Sequence, residues 1–295
     1  MGRRRNAKEA AFFDEYQDNI TQLVVDIRPS KIYHTKCYRG MGMLGVLKLF
    51  DAYTIRARIF PSLIAGLPVL ALPFMIVPWD RIGLSNIVVT IMSIVLFYAL
   101  ADFAQWNGRR IERKLGTRST PYLWYRSNKE LPESSKELYR NFISTKIKRS
   151  VPSVEDETNN PELADDFYAG AGNWLRDETR DTKKFVILFD KLVSYGFRRN
   201  LLGLRTLSIV LNLIIGAIAG SILYFMPSYF QRISDIQEKL SIVVLVVVVH
   251  SIYMLLAVRE GPLREASEAY GKQLILSCGT LMKHSRAARA NKGEA

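Results

Sequence analysis

Basic and aromatic residues alternate over residues 109–149 in a pattern that suits the binding of phosphates and bases. This stretch holds twelve Lys and Arg against four acids, interleaved with tyrosine, phenylalanine and tryptophan. Cations contact phosphate groups and aromatic rings stack on bases, which is the chemistry of nucleotide and single-strand binding. The candidate ligand-binding residues are Arg109, Arg110, Arg113, Arg118, Trp124, Tyr125, Arg126, Arg140, Lys146, Lys148 and Arg149.

The same cations have a second interpretation, because an anionic membrane surface attracts basic residues that lie near a membrane span. The aromatic residues in residues 122–142 favour a binding pocket over simple surface attraction. The neighbouring residues 155–181 are acidic, with nine acids against two arginines. We expect this acidic segment to pair with the basic one, either within the chain or between subunits.

A second group of residues lies in apolar surroundings and follows one helical face. Small and polar residues recur there at four-residue steps. Such a face either lets another helix approach closely or lines a water-filled pore, and packing is the more frequent meaning. The residues are Ser208, Asn212, Gly216 and Gly220.

His250 and Asp102 are candidate pore or packing residues in other apolar segments. His250 lies in the middle of its segment, where an ionisable side chain is a functional hypothesis by default. A neutral imidazole that is hydrogen-bonded to a neighbouring helix is the alternative. Asp102 ends its segment, where it belongs either to an acidic ring at a pore mouth or to a solvated helix end.

Signatures of catalysis and of metal binding are absent from the sequence. It contains no Walker loop, no Rossmann glycine pattern, no HExxH and no GxSxG motif. The three histidines are far apart, and the two cysteines show no metal-ligand spacing. We therefore predict no catalytic residues, no metal site and no cofactor, and we expect that the protein is not an enzyme.

Four apolar stretches dominate the remaining sequence and must position these groups. None contains Asp, Glu, Lys or Arg, and each is long enough to cross the roughly 30 Å hydrocarbon core as a helix. They are residues 59–79, 82–101, 206–231 and 240–258. The first carries four prolines, so we expect an irregular helix there. The sequence predicts an all-α integral membrane protein with four transmembrane helices in two hairpins and a helical cytoplasmic domain.

The distribution of charge predicts the orientation of these spans. Residues 1–58, 102–205 and 259–295 carry net charges of +5, +5 and +3, which together make the total of +13. The two hairpin turns, around residues 80–81 and 232–239, are neutral. Cytoplasmic loops carry the excess of Lys and Arg. We therefore predict a multi-pass protein of the inner (cell) membrane with both termini and the central region in the cytoplasm.

The predicted domain organisation follows from the spans. Two helices are expected to extend beyond the membrane, the second span through about residue 115 and the third span from about residue 183. The segments are a cytoplasmic N-terminal helical segment at 1–58, a first hairpin at 59–104, a basic and acidic helical region at 105–204, a second hairpin at 205–258, and a C-terminal helix and basic tail at 259–295.

This layout resembles the small membrane effectors of bacterial anti-phage systems, and the transmembrane effectors of Hailong type in particular. The likeness is carried by the four spans, the charge of +13, the basic and aromatic segment, and residues 195–205, YGFRRNLLGLR. The resemblance implies a homo-oligomeric channel in the lipid bilayer, controlled by a nucleotide or single-stranded DNA ligand from a partner enzyme. The alternative is a membrane-tethered scaffold, or a subunit of a larger complex, that binds acidic partners or lipids.

Overall fold

The computed structural model describes residues 52–77, 86–116 and 120–293, with side chains described except at 86–94, 97, 120 and 286–293. Within these ranges the chain is helical and forms no strand. Several predictions lie outside the described residues: the N-terminal helical segment before residue 52, the first hairpin turn, and the candidate ligand residue Arg118.

Nine α-helical elements and one short 3-10 helix, Phe230–Arg232, make up the regular structure of the described part of the chain. The α-helical elements are α1 (Ala52–Ile76), α2 (Asn86–Leu115), α3 (Thr120–Trp124), α4 (Glu133–Ile147), α5 (Val154–Asn159), α6 (Pro161–Glu178), α7 (Val186–Phe225), α8 (Ile236–Leu256) and α9 (Glu260–Gly293). Local chemistry sets several boundaries. Ser153 and Asp156 form a capping box at the start of α5. Helix α7 ends at Met226, which adopts a left-handed conformation.

Among the described residues, three helices are long and apolar enough to cross a membrane: α1 with 25 residues, α7 with 40 and α8 with 21. They contain most of the predicted spans 59–79, 206–231 and 240–258. The predicted span 82–101 lies mainly on α2, where the side chains of residues 86–94 are outside the described part. The structure thus gives an all-helical chain with three candidate spans, and the four-span arrangement stays a prediction.

Helix α1 is irregular at its start and not at its internal prolines. Residues Ile55–Ile59 form a π-helical turn, and the amide of Phe60 donates to the carbonyl of Ile55. Pro61 has no N–H, so the Ala57 carbonyl loses the donor that a regular α-helix would provide. The prolines at 68 and 73 lie inside a continuous helix, Phe60–Ile76. Within the described part of this span, the irregularity predicted from the prolines therefore lies in the turn before Pro61, and Pro78 is outside that part.

The buried residues form three clusters, which we name the helical domain, the junction and the apolar bundle. The helical domain is built on α3, α4, α6, the start of α7 and the later part of α9. The junction joins α1, α2, α7, the end of α8 and the start of α9. The apolar bundle consists of α1, α7 and α8.

Helix α7 contributes to all three clusters. Leu188 is buried in the helical domain, Leu201 in the junction and Ile215 in the apolar bundle. At 1.5 Å per residue its 40 residues extend about 60 Å, roughly twice the thickness of a bilayer core. A single rigid element therefore connects the helical domain to the apolar bundle.

Candidate functional site

Two predicted ligand residues, Trp124 and Arg140, belong to the core of the helical domain. Trp124 is 0% exposed and Arg140 is 1% exposed. The ring of Trp124 stacks on Tyr168 with the centroids 6.2 Å apart. Nη1 of Arg140 donates to the Trp124 carbonyl at 2.8 Å, and Nη2 pairs with Glu133. This placement disagrees with a ligand-facing role, because neither side chain is accessible to solvent.

Glu133 anchors this buried cationic cluster. It pairs with Arg140 and with the fully buried Lys136, whose Nζ also donates to the carbonyls of Tyr125 and Asn128. Burial alone would raise the pKa of the Glu133 carboxyl, but hydrogen bonds from Arg140 and Lys136 outweigh burial and lower it. Part of the basic segment therefore stabilises the fold of the domain.

The expected pairing of the basic and acidic segments occurs within the chain. Arg126 contacts Glu157 twice, through its backbone amide at 3.0 Å and through Nη1 at 2.7 Å. The hydroxyl of Tyr168 donates to the same carboxylate. The hydroxyl of Tyr125 donates to Asp165 at 2.9 Å, and burial together with this bond raises the pKa of Tyr125 to about 12. Tyr125 and Arg126 thus already have partners in the acidic segment.

The accessible cations of the predicted ligand set lie on two different elements. Arg109, Arg110 and Arg113 are exposed in the last two turns of α2. The second group lies at the end of α4, where Lys146, Lys148 and Arg149 are exposed. Arg149 pairs with Asp166 at 2.6 Å, and Lys146 lies 5.5 Å from the ring centroid of Phe142 beside a cavity of about 380 Å³. No described hydrogen bond or ion pair connects the two groups.

Most of the predicted pore or packing residues pack between helices. Ser208 donates to the carbonyl of Ala65 in α1 at 2.9 Å. Asn212 donates to Ser251 at 2.8 Å, and Oδ1 of Asn212 lies 3.1 Å from Nδ1 of His250. The side chains of Ser208, Asn212 and His250 are buried, so their hydrogen bonds form polar contacts of α7 with α1 and α8.

The other residues of that set differ in environment. A Cβ added at Gly216 would meet Val247 of α8 at 3.4 Å, so Gly216 also supports packing. Gly220 and Asp102 are exposed, and a Cβ at Gly220 would meet no atom of the described chain within 4 Å. Nε2 of His250 is buried without a hydrogen-bond partner of ordinary geometry among the described residues.

The junction contains functional candidates that the sequence patterns did not identify. Nδ2 of Asn200 donates to the Ala57 carbonyl at 2.6 Å, which replaces the donor that Pro61 lacks. Arg199 pairs with Glu112 of α2 at 2.9 Å, with both side chains largely buried. The spacing of Pro61 to Ala57 was the available signal, since a proline frees the carbonyl four residues before it.

Helices α2 and α7 cross at backbone contact in this junction. A Cβ added at Gly203 would lie 2.7 Å from the Gly108 nitrogen and 3.0 Å from the Ala104 oxygen. A Cβ added at Gly108 would lie 2.9 Å from Oδ1 of Asn200. Glycine is therefore required on both sides of the crossing, and any displacement of α2 acts directly on α7.

The described residues contain no group of three or more His, Cys, Asp or Glu side chains that could hold a metal ion. Comparison with known proteins gives no further assignment: no family model matches the chain, and no curated protein or solved structure is similar to it.

Proposed function

We propose that this chain is a homo-oligomeric membrane channel or pore-type effector, controlled by a nucleotide or single-stranded nucleic-acid ligand and acting in antiviral defence. In this proposal four spans form two hairpins, with the second span on α2, and both termini lie in the cytoplasm. The ligand binds cations of the cytoplasmic region, and the bound state changes the arrangement of the membrane helices.

The observation that carries this proposal is the continuity of α7. A helix that is buried at one end in the helical domain and at the other in the apolar bundle transmits a rotation or a shift without a flexible link. Packed interfaces of this kind switch between discrete arrangements more readily than they deform. Ligand control of a membrane path needs such a connection.

Arg109, Arg110 and Arg113 are the cations best placed to start such a change. They are exposed, and Arg109 directly follows Gly108, whose backbone contacts α7. A polyanion held by these arginines pulls on α2 at its crossing with α7. Phosphate contact by arginine is strong and often bidentate, so a short single strand is a suitable ligand.

The exposed apolar residues support a membrane-embedded assembly. Leu213 and Ile214 on α7, and Leu245 and Val249 on α8, are exposed in the single chain. On α2 Val95 and Leu96 are exposed as well. Such surfaces need lipid or another copy of the chain as their neighbour.

The test is ion flux from purified full-length protein in liposomes, with and without a single-stranded oligodeoxynucleotide. The test variant replaces Arg109, Arg110 and Arg113 with Gln. The control replaces Arg180, Lys183 and Lys184 with Gln, which removes the same charge from exposed positions remote from α2. We expect flux that the oligonucleotide alters in the wild-type and control chains and that it no longer alters in the test variant.

Binding of the oligonucleotide at several salt concentrations gives a second readout. A plot of log affinity against log salt has a negative slope. For a single strand, the loss of three phosphate contacts reduces the magnitude of this slope by about 2. Vesicles that stay silent although the oligomers are intact would refute a channel and favour the membrane-tethered scaffold, which predicts salt-sensitive recovery of an acidic partner. An unchanged ligand response in the α2 variant would refute the site.

The arrangement of the spans has its own test. Reporter fusions at the two termini should both report a cytoplasmic location, and a cysteine placed in the turn at 232–239 should react with an impermeant reagent from outside. A periplasmic signal at either terminus contradicts the two-hairpin topology.

A further inference from the structure

A cavity of about 300 Å³ lies where α8 ends and α9 begins, against the side of α7. It is separate from the α2 arginines. Its lining combines two arginines with aromatic and aliphatic groups, so it offers both cationic and apolar contacts. Phe197, Arg198, Leu201, Tyr253 and Arg259 are among the residues that line it.

The two arginines are exposed and form no ion pair within the described part of the chain. Nε of Arg259 donates to the Leu255 carbonyl at 3.3 Å, and Nη2 of Arg205 reaches the same oxygen at 3.4 Å. The first bond holds Arg259 at the carbonyl end of α8, where a cation is favoured by the helix dipole, and the second brings Arg205 to the same carbonyl. Arg198 also lines an adjoining cavity with Lys191 and one carboxylate, Glu265, so cations outnumber acids there.

The position of the cavity indicates the kind of anion. Helix α8 is one of the three helices able to cross a membrane, and its last residue is Leu256. Ile252, Leu255 and Leu256 expose apolar side chains immediately before the arginine, and Tyr253 is 38% exposed. Arginine and tyrosine at the end of a span lie at the depth of lipid headgroups.

We propose that this cavity binds the phosphate group of an anionic phospholipid, with Arg198 and Arg259 as its cationic ligands. The acyl chains of the lipid lie along the exposed apolar face of α8. Phe197 and Leu201 close the inner side of the cavity against the glycerol region. A soluble phosphate has the same headgroup chemistry but lacks the chains, so the apolar lining favours the lipid.

The test uses the full-length protein in nanodiscs that contain equal amounts of phosphatidylglycerol and phosphatidylcholine. Native mass spectrometry counts each lipid that stays bound after release from the disc. The variant R198Q/R259Q removes both cations, and K183Q/K184Q is the control with equal loss of charge at exposed positions before the membrane part of α7. The variant R198K/R259K keeps the charge and loses the guanidinium geometry.

We expect the wild-type chain and the K183Q/K184Q control to retain phosphatidylglycerol in preference to phosphatidylcholine. In R198Q/R259Q this preference should fall by about 25-fold, since each of the two cations near an anionic lipid contributes roughly fivefold. The R198K/R259K variant should retain part of it.

Three results would overturn the proposal. An equal preference in R198Q/R259Q and wild type would show that other residues select the lipid. Equal retention of the two lipids by the wild type would show that the cavity does not select an anionic lipid. Binding of soluble glycerol phosphate as tight as that of the lipid would assign the cavity to a soluble anion. Because none of these measurements involves flux or an oligonucleotide, the outcome is independent of the proposed channel function.

Discussion

The crossing of α2 and α7 in backbone contact makes a specific prediction for Gly203→Ala. The added methyl group would stand 2.7 Å from the backbone nitrogen of Gly108, whereas ordinary contact begins near 3.4 Å. Helix α2 would have to move by about 0.7 Å to restore that contact. The neighbouring atoms belong to the backbone of α2, so no side chain can rotate out of the way. Gly220→Ala is the matched control, since its methyl group meets no described atom within 4 Å.

Two opposing contributions set the difference in unfolding free energy between Gly203→Ala and Gly220→Ala. Replacing glycine by alanine inside a helix stabilises it by up to about 1 kcal/mol, and this gain is the same at both positions of α7. Overpacking at a tight contact costs about 1 to 3 kcal/mol, and only Gly203→Ala incurs it. The variants should therefore differ in unfolding free energy by about 1 to 3 kcal/mol. For a chain of this size that difference amounts to roughly 2 to 5 °C in the apparent Tm.

The assay is thermal unfolding of both variants in one detergent at one scan rate, with Gly108→Ala as a second probe of the same crossing. Gly220→Ala should melt at or slightly above the wild type, and the other two variants below it. If Gly203→Ala melts as high as Gly220→Ala, then α2 and α7 are not in backbone contact, and the argument for direct transmission between them fails.

Further variants test the other interactions. Asn212→Leu should destabilise the apolar bundle by about 1 to 2 kcal/mol in thermal unfolding, because hydrogen bonds within a membrane contribute this much, whereas the exposed Ser221→Ala should be neutral. Arg126→Gln should lower the free energy of unfolding by about 2 to 3 kcal/mol, and Arg149→Gln by under about 1 kcal/mol. The reason is that only Arg126 belongs to a largely buried ion pair. Equal losses in the two variants would contradict this assignment. Burial raises the pKa of the Cys278 thiol to about 12, so maleimide should modify it rapidly only after unfolding when it is the sole cysteine of the chain.

The apolar runs of the sequence locate the three candidate spans to within several residues, because uninterrupted apolar stretches of this length have few other uses. The helical extensions of α2 and α7 could also be predicted, since each continues with apolar residues at helical spacing. The prolines of the first span predict an irregular helix, but not the π-helical form of the turn before Pro61. The donor that the Ala57 carbonyl receives there comes from Asn200, more than a hundred residues away in the sequence.

The candidate ligand residues separate in the structure for reasons that local spacing does not contain. Arg109 and Arg140 both belong to helices of the basic and aromatic segment 109–149, yet Arg109 is exposed and Arg140 is buried. Burial of Arg140 requires the free carbonyl at Trp124, where α3 ends, and the carboxylate of Glu133. An arginine with such partners can enter a core at little net cost, and whether the partners exist is decided by the tertiary fold.

The same reasoning favours the junction over the basic segment of the helical domain as the place where the proposed ligand would act on the apolar bundle. The inner cations of that domain are held by carbonyls and carboxylates, so a ligand would have to break the core to reach them. In the junction, by contrast, exposed Arg109 adjoins a crossing at which the backbones of α2 and α7 are in contact at Gly108 and Gly203. Asn200 lies against Gly108 and is bonded to α1, so a shift of α2 reaches α7 and α1 together. Because no flexible segment separates these helices at the crossing, a displacement of one is not absorbed there, and the helices move as a unit or not at all.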